Sequence, residues 1–450
     1  MSKEIKNQEL QIVDYGMNGV GIAHGQKTYF LPNVLLGEKV SLDANNQLRV
    51  LLSSPNRVQT LCPYYAKCGG CNLQCMNSEE QQKYKTTYVG NCLKKYKVNY
   101  DKDFEYVCSS NLYYRNKISF AVRNINGKNV IGLFESKSHN VIPVKECLIT
   151  DQRHKKILDI FREYLKLDIK CYSDIDKQGI RNVVVRFTTE AVLVCVVGTV
   201  KQLPQSQALT KFLANAFTKF NLSYCQNKDP KTILSRDIKF VSGKQDISIT
   251  RDNLTIPINI GSFLQINDEV SSQIYNYVRT VLPKDSIVFD LYSGAGLMTA
   301  VLARSSAFCI GVECNPHAVN LSNALFKQNN IQNAYAILGK SEEVLPKLLK
   351  DIASEKLSYQ GRLLTTLKHN QNLCCVLDPP RKGCAQSLLD EVLKNDIQTI
   401  VYVSCQPITL ARDLAVLTRG YSINSIKLFD MFYLTSHVET VVVLTKDKNA

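Results

Sequence analysis

The sequence lacks any apolar run long enough to cross a membrane, which argues against an integral helical membrane protein. Residues 1–12 are polar and lack the apolar core of a signal peptide, so we expect a cytoplasmic protein. The chain also has no internal repeat and no low-complexity tract. Without secretion its sixteen cysteines are not expected to form a disulfide framework. Metal binding, catalysis and ordinary burial must therefore share them.

Acidic residues are few relative to basic ones. The chain has 40 Asp and Glu against 55 Lys and Arg, a net charge of +15. Such an excess predicts a polyanionic partner, most often a nucleic acid. A basic proteome would produce the same balance, so charge alone leaves the partner open. The 450 residues exceed one ordinary core and predict two or three domains. Nothing in the sequence predicts an obligatory protein partner.

The pattern of strands and helices predicts a multidomain α/β protein. Residues 10–50 have short strands and glycine turns, typical of a small β-barrel that could stack RNA bases on its aromatic side chains. Residues 60–260 predict a mostly antiparallel α+β region, and strands and helices alternate from about residue 260 in the doubly wound pattern. Residues 350–372 predict an inserted surface loop. We place the domains at residues 1–57, 58–258 and 259–450.

Three cysteines lie within ten residues around a glycine–glycine turn: Cys62, Cys68 and Cys71. Thiolates this close indicate a metal site, and both zinc and iron–sulfur clusters accept such ligands. A fourth ligand is needed, and the residues alone leave two candidates, Cys75 and Cys147. The alternative, four unrelated thiols, fits this spacing less well than it fits scattered cysteines.

A glycine turn follows the predicted strand that ends at Asp290, and a predicted helix begins at Leu297. Gly294 and Gly296 let the backbone approach a ligand, while Glu313, which ends the next strand, can accept both ribose hydroxyls. The turn does not match the pyrophosphate fingerprint G-x-G-x-x-G. A nucleoside cofactor without a pyrophosphate, such as S-adenosylmethionine, therefore fits better than NAD.

Three polar residues lie at the edges of apolar runs in the carboxyl-terminal part: Asp378, Cys405 and Glu439. Ligand sites of open α/β sheets lie at the carboxyl ends of the strands, so one shared site explains the three better than coincidence. An isolated cysteine would instead indicate a small buried residue. A thiolate near a carboxylate suits covalent catalysis on an electron-poor ring. Cysteine adds to C6 of a pyrimidine, C5 takes a methyl group, and a base removes the C5 proton.

At these residues the chain resembles the RNA uracil-5 methyltransferases, which make 5-methyluridine, over nearly its whole length. The motifs that carry the resemblance agree in order and spacing: Phe263-Leu264-Gln265-Ile266-Asn267, Asp290-Leu291-Tyr292-Ser293-Gly294-Ala295-Gly296, Asp378-Pro379-Pro380-Arg381, Ser404-Cys405-Gln406-Pro407 and His437-Val438-Glu439-Thr440. The resemblance implies an amino-terminal OB-like TRAM barrel that binds RNA, a central domain with a [4Fe-4S] cluster and a Rossmann-like methyltransferase domain.

The resemblance also implies residue roles. Cys405 is the implied nucleophile and Glu439 the implied general base. The implied contacts to S-adenosylmethionine are Gln265, Tyr292, Glu313 and Asp378. The implied cluster ligands are Cys62, Cys68, Cys71 and Cys147.

Several positions depart from the family pattern. Cys75 stands where the family often has His, so on sequence grounds it competes with Cys147 as a ligand. Gln406 replaces the usual Asn after the nucleophile, and Tyr433 replaces a usual Pro. Gly339-Lys340-Ser341-Glu342 replaces the usual Gly-Asp-Ala-Glu, which affects a contact on the adenine side. None of these changes removes a residue that the mechanism requires.

The resemblance further implies the substrate. Bacterial family members with both a barrel and a cluster mostly act on ribosomal RNA, so we expect a uridine of 23S ribosomal RNA. Two alternatives stay open: a uridine of the transfer RNA T-loop, and a non-catalytic RNA-binding iron–sulfur protein. Intact Cys405, Glu439 and Asp378 argue against the latter, because a binding module has no use for a nucleophile and a base.

Overall fold

The structure, a computed structural model, describes residues 8–43, 45–108, 111–354 and 372–447, and the backbone of residues 358–359 and 362–363. Residues 1–7 of the polar amino terminus lie outside the described residues, as does most of the predicted loop at residues 350–372.

The amino-terminal part forms one antiparallel sheet. Its strands are β1 (Gln8–Tyr15), β2 (Val20–His24), β3 (Thr28–Pro32), β4 (Lys39–Leu42) and β5 (Leu48–Leu52), with a short 3-10 helix at Met17–Gly19. The strand order is β3-β2-β1-β4-β5. The first half of β1 pairs with β4 and the second half with β2, with a register shift between Ile12 and Asp14. This shift lets one strand serve both halves of a curled sheet.

The sheet differs from the predicted barrel in one respect. Within residues 8–43 and 45–52, the edge strands β3 and β5 do not pair with each other. Pro32, at the end of β3, has no N–H to donate, which suits an edge strand. The sheet nevertheless encloses a small apolar core that includes Ile12, Val34 and Val40.

The central part begins with a helix and continues mainly in strands. Its elements are α1 (Ser78–Lys95), β6 (Glu105–Cys108), β7 (Lys117–Ile125), β8 (Lys128–Phe134), β9 (Val141–Ile142), α2 (His154–Tyr164), β10 (Ile180–Phe187), β11 (Val192–Gly198), α3 (Ser206–Ala216), β12 (Phe220–Gln226), β13 (Ile238–Gly243), β14 (Ile247–Arg251) and β15 (Leu254–Ile258). Seven of the strands form a sheet in the order β13-β12-β11-β10-β7-β8-β9. Its ladders are antiparallel except β11 with β12, which agrees with the predicted α+β region.

The carboxyl-terminal part alternates strands and helices as predicted. Its elements are α4 (Asp268–Val281), β16 (Ile287–Leu291), α5 (Leu297–Leu302), β17 (Phe308–Glu313), α6 (Pro316–Gln328), β18 (Ala334–Leu338), α7 (Ser341–Ala353), β19 (Ser358–Tyr359), β20 (Arg362–Leu363), β21 (Leu373–Leu377), α8 (Gln386–Lys394), β22 (Thr399–Ser404), α9 (Pro407–Leu417), β23 (Tyr421–Asp430) and β24 (Glu439–Lys446).

Eight strands form the largest sheet, in the order β18-β17-β16-β21-β22-β24-β23-β6. The ladders from β18 to β22 are parallel, and β24 inserts antiparallel between β22 and β23. The chain order reverses between β16 and β21, so a crevice opens there at the carboxyl ends of the strands. Strands β16 and β22 are buried along their whole length, as expected for a sheet covered by helices on both faces.

Two elements of the central part contact this large sheet: one strand pairs with its edge, and one helix packs against its face. Strand β6 pairs in parallel with β23 at the sheet edge. Helix α1 buries Val89 and Leu93 in the same apolar core as β16 and β22. The helix begins where the Asn77 side chain accepts the Glu80 N–H. The segment after the cysteine motif is therefore packed on the carboxyl-terminal domain.

Among the described residues, no helix combines the length and the apolar character that a membrane span requires.

Candidate active site

The strand registers bring the polar residues predicted from the sequence to one edge of the large sheet. Ser404 pairs with Thr440 across β22 and β24, which places Cys405 opposite Glu439 at the next position. Leu291 pairs with Leu377 across β16 and β21. Tyr292 and Asp378 are therefore adjacent at the switch point, because each directly follows one of these paired residues.

A cavity of about 580 Å³ opens at this edge. Five of the predicted site residues line it: Gln265, Tyr292, Asp378, Cys405 and Glu439. Apolar side chains, including Ile258, Leu297 and Leu325, form much of the remaining wall. A mostly apolar cleft with a few convergent polar groups is the usual form of a small-molecule site.

The glycine turn at the end of β16 takes backbone conformations that suit its sequence. Gly294 and Gly296 have φ values of 56° and 77°, in the left-handed region that side chains disfavour. A Cβ placed on Gly294 would meet no atom within 4 Å, whereas one on Gly296 would collide with Ser322. Packing against Ser322 therefore requires glycine at position 296. At Gly294, by contrast, there is free space beside the backbone that a ligand could occupy.

Glu313 lies at the end of β17 but does not line the cavity. Its carboxylate accepts the Gly294 N–H at 3.1 Å and the Asn315 N–H at 2.8 Å. It therefore supports the glycine turn from behind. Two backbone donors fix this carboxylate, so the role that the resemblance implies for Glu313 stays a prediction.

Cys405 follows β22 directly, before the first turn of α9 that opens with Pro407. Burial raises the pKa of its thiol to about 11, and the nearby carboxylates of Glu439 and Asp378 act in the same direction. The Arg381 guanidinium opposes them by charge and by a hydrogen bond to Cys405. Arg381 is thus the group placed to favour the thiolate, which is the nucleophilic form of cysteine.

Two carboxyl groups, those of Glu439 and Asp378, face the same cavity. Burial raises the pKa of Glu439 to about 8, with a further contribution from Asp378. Burial likewise raises the pKa of Asp378 to about 7. Because the ordinary values of such groups lie near 4, both can take up a proton near neutral pH. A carboxylate opposite the cysteine can therefore serve as a general base.

Other residues at this cavity were not predicted as site residues. Arg115, Arg381, Phe432 and His437 line it beside the predicted set. Arg381 and His437 belong to the same sequence motifs as Asp378 and Glu439. Their proximity to these residues in the sequence could therefore have predicted that they line the cavity. Arg115 comes from the start of the central sheet, 290 positions before Cys405 in the numbering, and no local pattern pointed to it.

Comparison with known proteins adds the family. The family described as tRNA (Uracil-5-)-methyltransferase matches residues 77–447. The chain belongs to this family. An uncharacterized RNA methyltransferase of Clostridium tetani is 32% identical over 98% of this chain and 97% of the relative. Another from Clostridium acetobutylicum is 31% identical over 99% of this chain and 98% of the relative. The protein is thus an RNA uracil-5 methyltransferase that uses S-adenosylmethionine.

A solved structure shows the same overall fold. The tRNA (uracil-54, C5)-methyltransferase of Pyrococcus abyssi, in complex with S-adenosyl-L-homocysteine, has a TM-score of 0.77 and 24% identity. The match covers 97% of this chain and 100% of that one. The likeness therefore extends from the amino-terminal antiparallel sheet through the methyltransferase domain.

Unpaired polar atoms around the glycine turn of the enzyme fit a bound ligand. Among the described residues, Asp290 Oδ1 and Ser293 Oγ are buried without a hydrogen-bond partner. Burial raises the pKa of Asp290 to about 7, although its other oxygen accepts the Thr299 hydroxyl at 2.5 Å. Buried polar groups are normally satisfied. Of the two residues only Ser293 lines the cavity, so its unpaired hydroxyl and the accessible backbone at Gly294 suit a polar cofactor such as S-adenosylmethionine.

A second cavity of the methyltransferase, about 670 Å³ in volume, is lined by four cysteines. They are Cys62, Cys68, Cys71 and Cys147. Cys147 raises the pKa of each of the other three thiols by charge, although burial is the larger cause. Cys75 does not line this cavity. It is buried in a small apolar cluster with Leu73 and Met76, and it contacts the Tyr65 hydroxyl at 3.5 Å.

The described part of the chain contains no group of three or more His, Cys, Asp or Glu side chains placed to hold one metal ion. Burial raises the pKa of Cys71 to about 12, so this thiol would need a metal partner to stay deprotonated.

Proposed function

We propose that the enzyme methylates C5 of a uridine through a covalent bond between Cys405 and C6, with Glu439 as the base for the C5 proton. One observation carries this proposal: Cys405 and Glu439 each lie one residue beyond the Ser404–Thr440 pair of β22 and β24, and both line one cavity with Asp378. A non-catalytic RNA-binding protein would have no use for this pair.

The reaction balances with these groups. The Cys405 thiolate adds to C6, and the electrons of the C5–C6 double bond move onto C5 and O4. S-adenosylmethionine would supply an electrophilic methyl group for C5, and it would leave as S-adenosylhomocysteine when its methyl–sulfur bond breaks. Glu439 then takes the C5 proton, the C5–C6 double bond forms again, and the thiolate leaves. The Arg381 guanidinium helps the thiolate both to form and to leave, because it stabilises the negative sulfur.

For the cofactor, we propose contacts from Gln265, Tyr292, Glu313 and Asp378. Gln265, Tyr292 and Asp378 line the cavity. The Gln265 carbonyl accepts the Asn116 side-chain amide at 3.0 Å, so its segment is held by the central domain. Glu313 supports the turn at Gly294, and its proposed acceptance of the ribose hydroxyls comes from the resemblance alone.

We expect Glu313→Ala to weaken S-adenosylhomocysteine binding by about tenfold or more. Each bond to a charged acceptor is worth roughly 1.5–3 kcal/mol, and about 1.4 kcal/mol corresponds to one factor of ten. Calorimetric titration measures the dissociation constant. Glu343→Ala is the control, because Glu343 is an exposed partner of Lys340 on α7. An unchanged constant in Glu313→Ala would remove Glu313 from the cofactor site.

We propose that Cys62, Cys68, Cys71 and Cys147 hold a [4Fe-4S] cluster and that Cys75 does not take part. The support is that the four thiols line one cavity while Cys75 lies in a separate apolar cluster. Thiolate ligands in this number suit a [4Fe-4S] cluster.

Protein purified without oxygen should be brown and contain about four irons per chain, as this cluster type requires. Cys147→Ser should lose colour and iron, because a cluster ligand is removed. Cys75→Ser should keep both, and it is the matched control. The reverse pattern would exchange the two residues, and stoichiometric zinc would reject the cluster.

We propose a uridine of 23S ribosomal RNA as the substrate, and the amino-terminal sheet as a TRAM-type RNA-binding domain. The net charge of +15 favours RNA in general. The choice of ribosomal RNA comes from the resemblance alone, because bacterial family members that have both a TRAM barrel and an iron–sulfur cluster mostly act on ribosomal RNA. A transfer RNA uridine is the second candidate, since the Pyrococcus neighbour acts on uracil-54 of transfer RNA. In either RNA the target base must be unpaired or flipped out for a thiol to reach C6.

The experiment offers the enzyme unmodified 23S ribosomal RNA and transfer RNA with a labelled methyl donor. We expect label in ribosomal RNA, located at one uridine by mass mapping. Cys405→Ala is the blank, because it cannot form the adduct. Label that appears only in the transfer RNA T-loop would overturn the ribosomal assignment and leave the reaction intact.

A further inference from the structure

The loop that leads to the base is held mainly by other parts of the chain. Residues 431–438 connect β23 to β24 and end directly before Glu439. The loop turns at Leu434, whose φ of 67° is unusual for a side chain of this kind. Phe432 and His437 from this loop line the active-site cavity. The position of Glu439 therefore depends on what fixes this loop.

Asn72 makes a reciprocal contact with the part of the loop nearest the base. Its Oδ1 accepts the Ser436 N–H at 2.7 Å, and its Nδ2 donates to Ser436 Oγ at 2.9 Å. The backbone N–H groups of Asn72 and Leu73 both donate to the Leu434 carbonyl, at 3.2 and 3.1 Å. Four hydrogen bonds thus join a two-residue segment to the loop, and Ser436 is three positions before Glu439.

Asn72 also lies where the three parts of the chain meet. It follows Cys71 directly, and its Nδ2 also donates at 2.8 Å to the carbonyl of Asn18, in the short 3-10 helix of the amino-terminal part. The residue next to Cys71 is therefore bonded both to the amino-terminal part and to the loop before the base.

Residues of α1 and of the segment before β7 make further contacts with the remainder of the loop and with the end of β23. The Lys85 ammonium, fully buried on α1, donates to Asp430 at 2.5 Å where β23 ends. The Gln81 side chain accepts the Leu434 N–H at 3.1 Å, and the Tyr114 hydroxyl donates to the Tyr433 carbonyl at 3.1 Å. These contacts define the path of the loop, and Asn72 fixes its last turn.

We propose that Asn72 is a positioning residue for Glu439, acting through Ser436. The proposal rests on the proposed function, in which Glu439 removes the C5 proton. In that step the C5–H bond breaks, the proton goes to the Glu439 carboxylate, and the electron pair forms the C5–C6 double bond again as the bond from Cys405 to C6 breaks. A displaced Glu439 slows this step most directly, because the C5 proton must reach its carboxylate.

Deuterium at C5 of uracil isolates the step. Transcripts of 23S ribosomal RNA and of transfer RNA are made with protium or with deuterium at C5, and both sets are offered to each variant. In Asn72→Ala we expect kcat to fall by about tenfold or more, as misplacement of a catalytic group does. The KM for S-adenosylmethionine should stay at the wild-type value. The ratio of protium to deuterium rates should rise above that of the wild type, because proton removal becomes slower than the other steps.

Asn129→Ala is the matched control. The Asn129 side chain also makes two donations to carbonyls, those of Leu165 and Ile169, and accepts one amide, that of Asn124. It lies on the central sheet, away from the base loop. We expect this variant to keep the wild-type kcat and isotope ratio.

Asn72→Asp is a more conservative substitution, because it keeps the size of the side chain and its acceptor oxygen. A carboxylate still accepts the Ser436 N–H and hydroxyl, but it loses both donations of Nδ2. Its isotope ratio should lie between those of the wild type and Asn72→Ala, and it supplies the readout if the alanine variant does not fold. A wild-type isotope ratio in the folded Asn72 variants would overturn the proposal, with or without a lower kcat. Normal turnover by Glu439→Gln would instead reject the proposed function on which the proposal rests.

Discussion

Cys405→Ala should abolish both methylation and the covalent enzyme–RNA adduct. Alanine has no nucleophile to add to C6, and without that addition C5 of uracil does not become reactive enough to take a methyl group. RNA that contains 5-fluorouridine should form a urea-resistant adduct with the wild type, because fluorine at C5 cannot leave as a proton does. Gel electrophoresis in urea separates the adduct, and the variant should show none.

A matched variant excludes a general effect of cysteine removal. Cys171→Ala also removes a single sulfur atom, but Cys171 is buried in the core of the central domain and does not line the active-site cavity. It should form the adduct at the wild-type level. Normal methylation by Cys405→Ala would refute covalent catalysis by this residue and would favour a chemistry that needs no cysteine, such as methylation of a ring nitrogen.

Because Cys405 must lose its proton to attack, the rate of adduct formation should depend on pH. Burial raises the pKa of Cys405 to about 11, so the thiolate is the minor form near neutral pH. Its fraction grows as pH rises towards that value. The rate of adduct formation in a single turnover should therefore increase with pH, and replacing Arg381 should lower it at a given pH, because a cation that lowers this pKa is then lost.

The sequence was sufficient to predict that the proposed catalytic residues meet at one cavity, and the reason is geometric. Cys405, Asp378 and Glu439 each border an apolar strand, and neighbouring strands of one sheet bring such borders together at one edge. The same logic located the glycine turn, because Gly294 and Gly296 adopt the conformations that glycine permits. The apolar periodicity of residues 152–165 predicts a helix, and α2 is observed at His154–Tyr164.

Other features depend on contacts between distant segments, which no local pattern encodes. The sequence assigned β6 to the central region, but this strand pairs with β23 at the edge of the large sheet. Arg115 enters the active-site cavity from the central domain, and Asn72 reaches Ser436 across 364 positions of the sequence. Glu313 was predicted at the right strand end, yet its carboxylate accepts the backbone N–H groups of Gly294 and Asn315.

Glu439→Gln should separate the two halves of the reaction. The amide keeps the size of the side chain but cannot accept the C5 proton at the rate of a carboxylate. The thiolate can still add to C6, and C5 can still be methylated, so the enzyme should accumulate a covalent complex with ordinary RNA. The complex should carry a methyl group at C5 and should survive urea. Mass spectrometry of the trapped peptide, with Glu391→Gln on α8 as the control, would identify it.

The pH dependence of the wild type gives an independent check on this base. Burial raises the pKa of Glu439 to about 8, so in the free enzyme the carboxylate form is lost as pH falls below that value. A base acts only when unprotonated, so the release of tritium from C5-labelled RNA should slow on the acid side of about pH 8. Glu439→Gln should lose this dependence together with its turnover. If the variant released tritium at the wild-type rate without forming a stable complex, Asp378 would become the candidate base, since its carboxylate lines the same cavity.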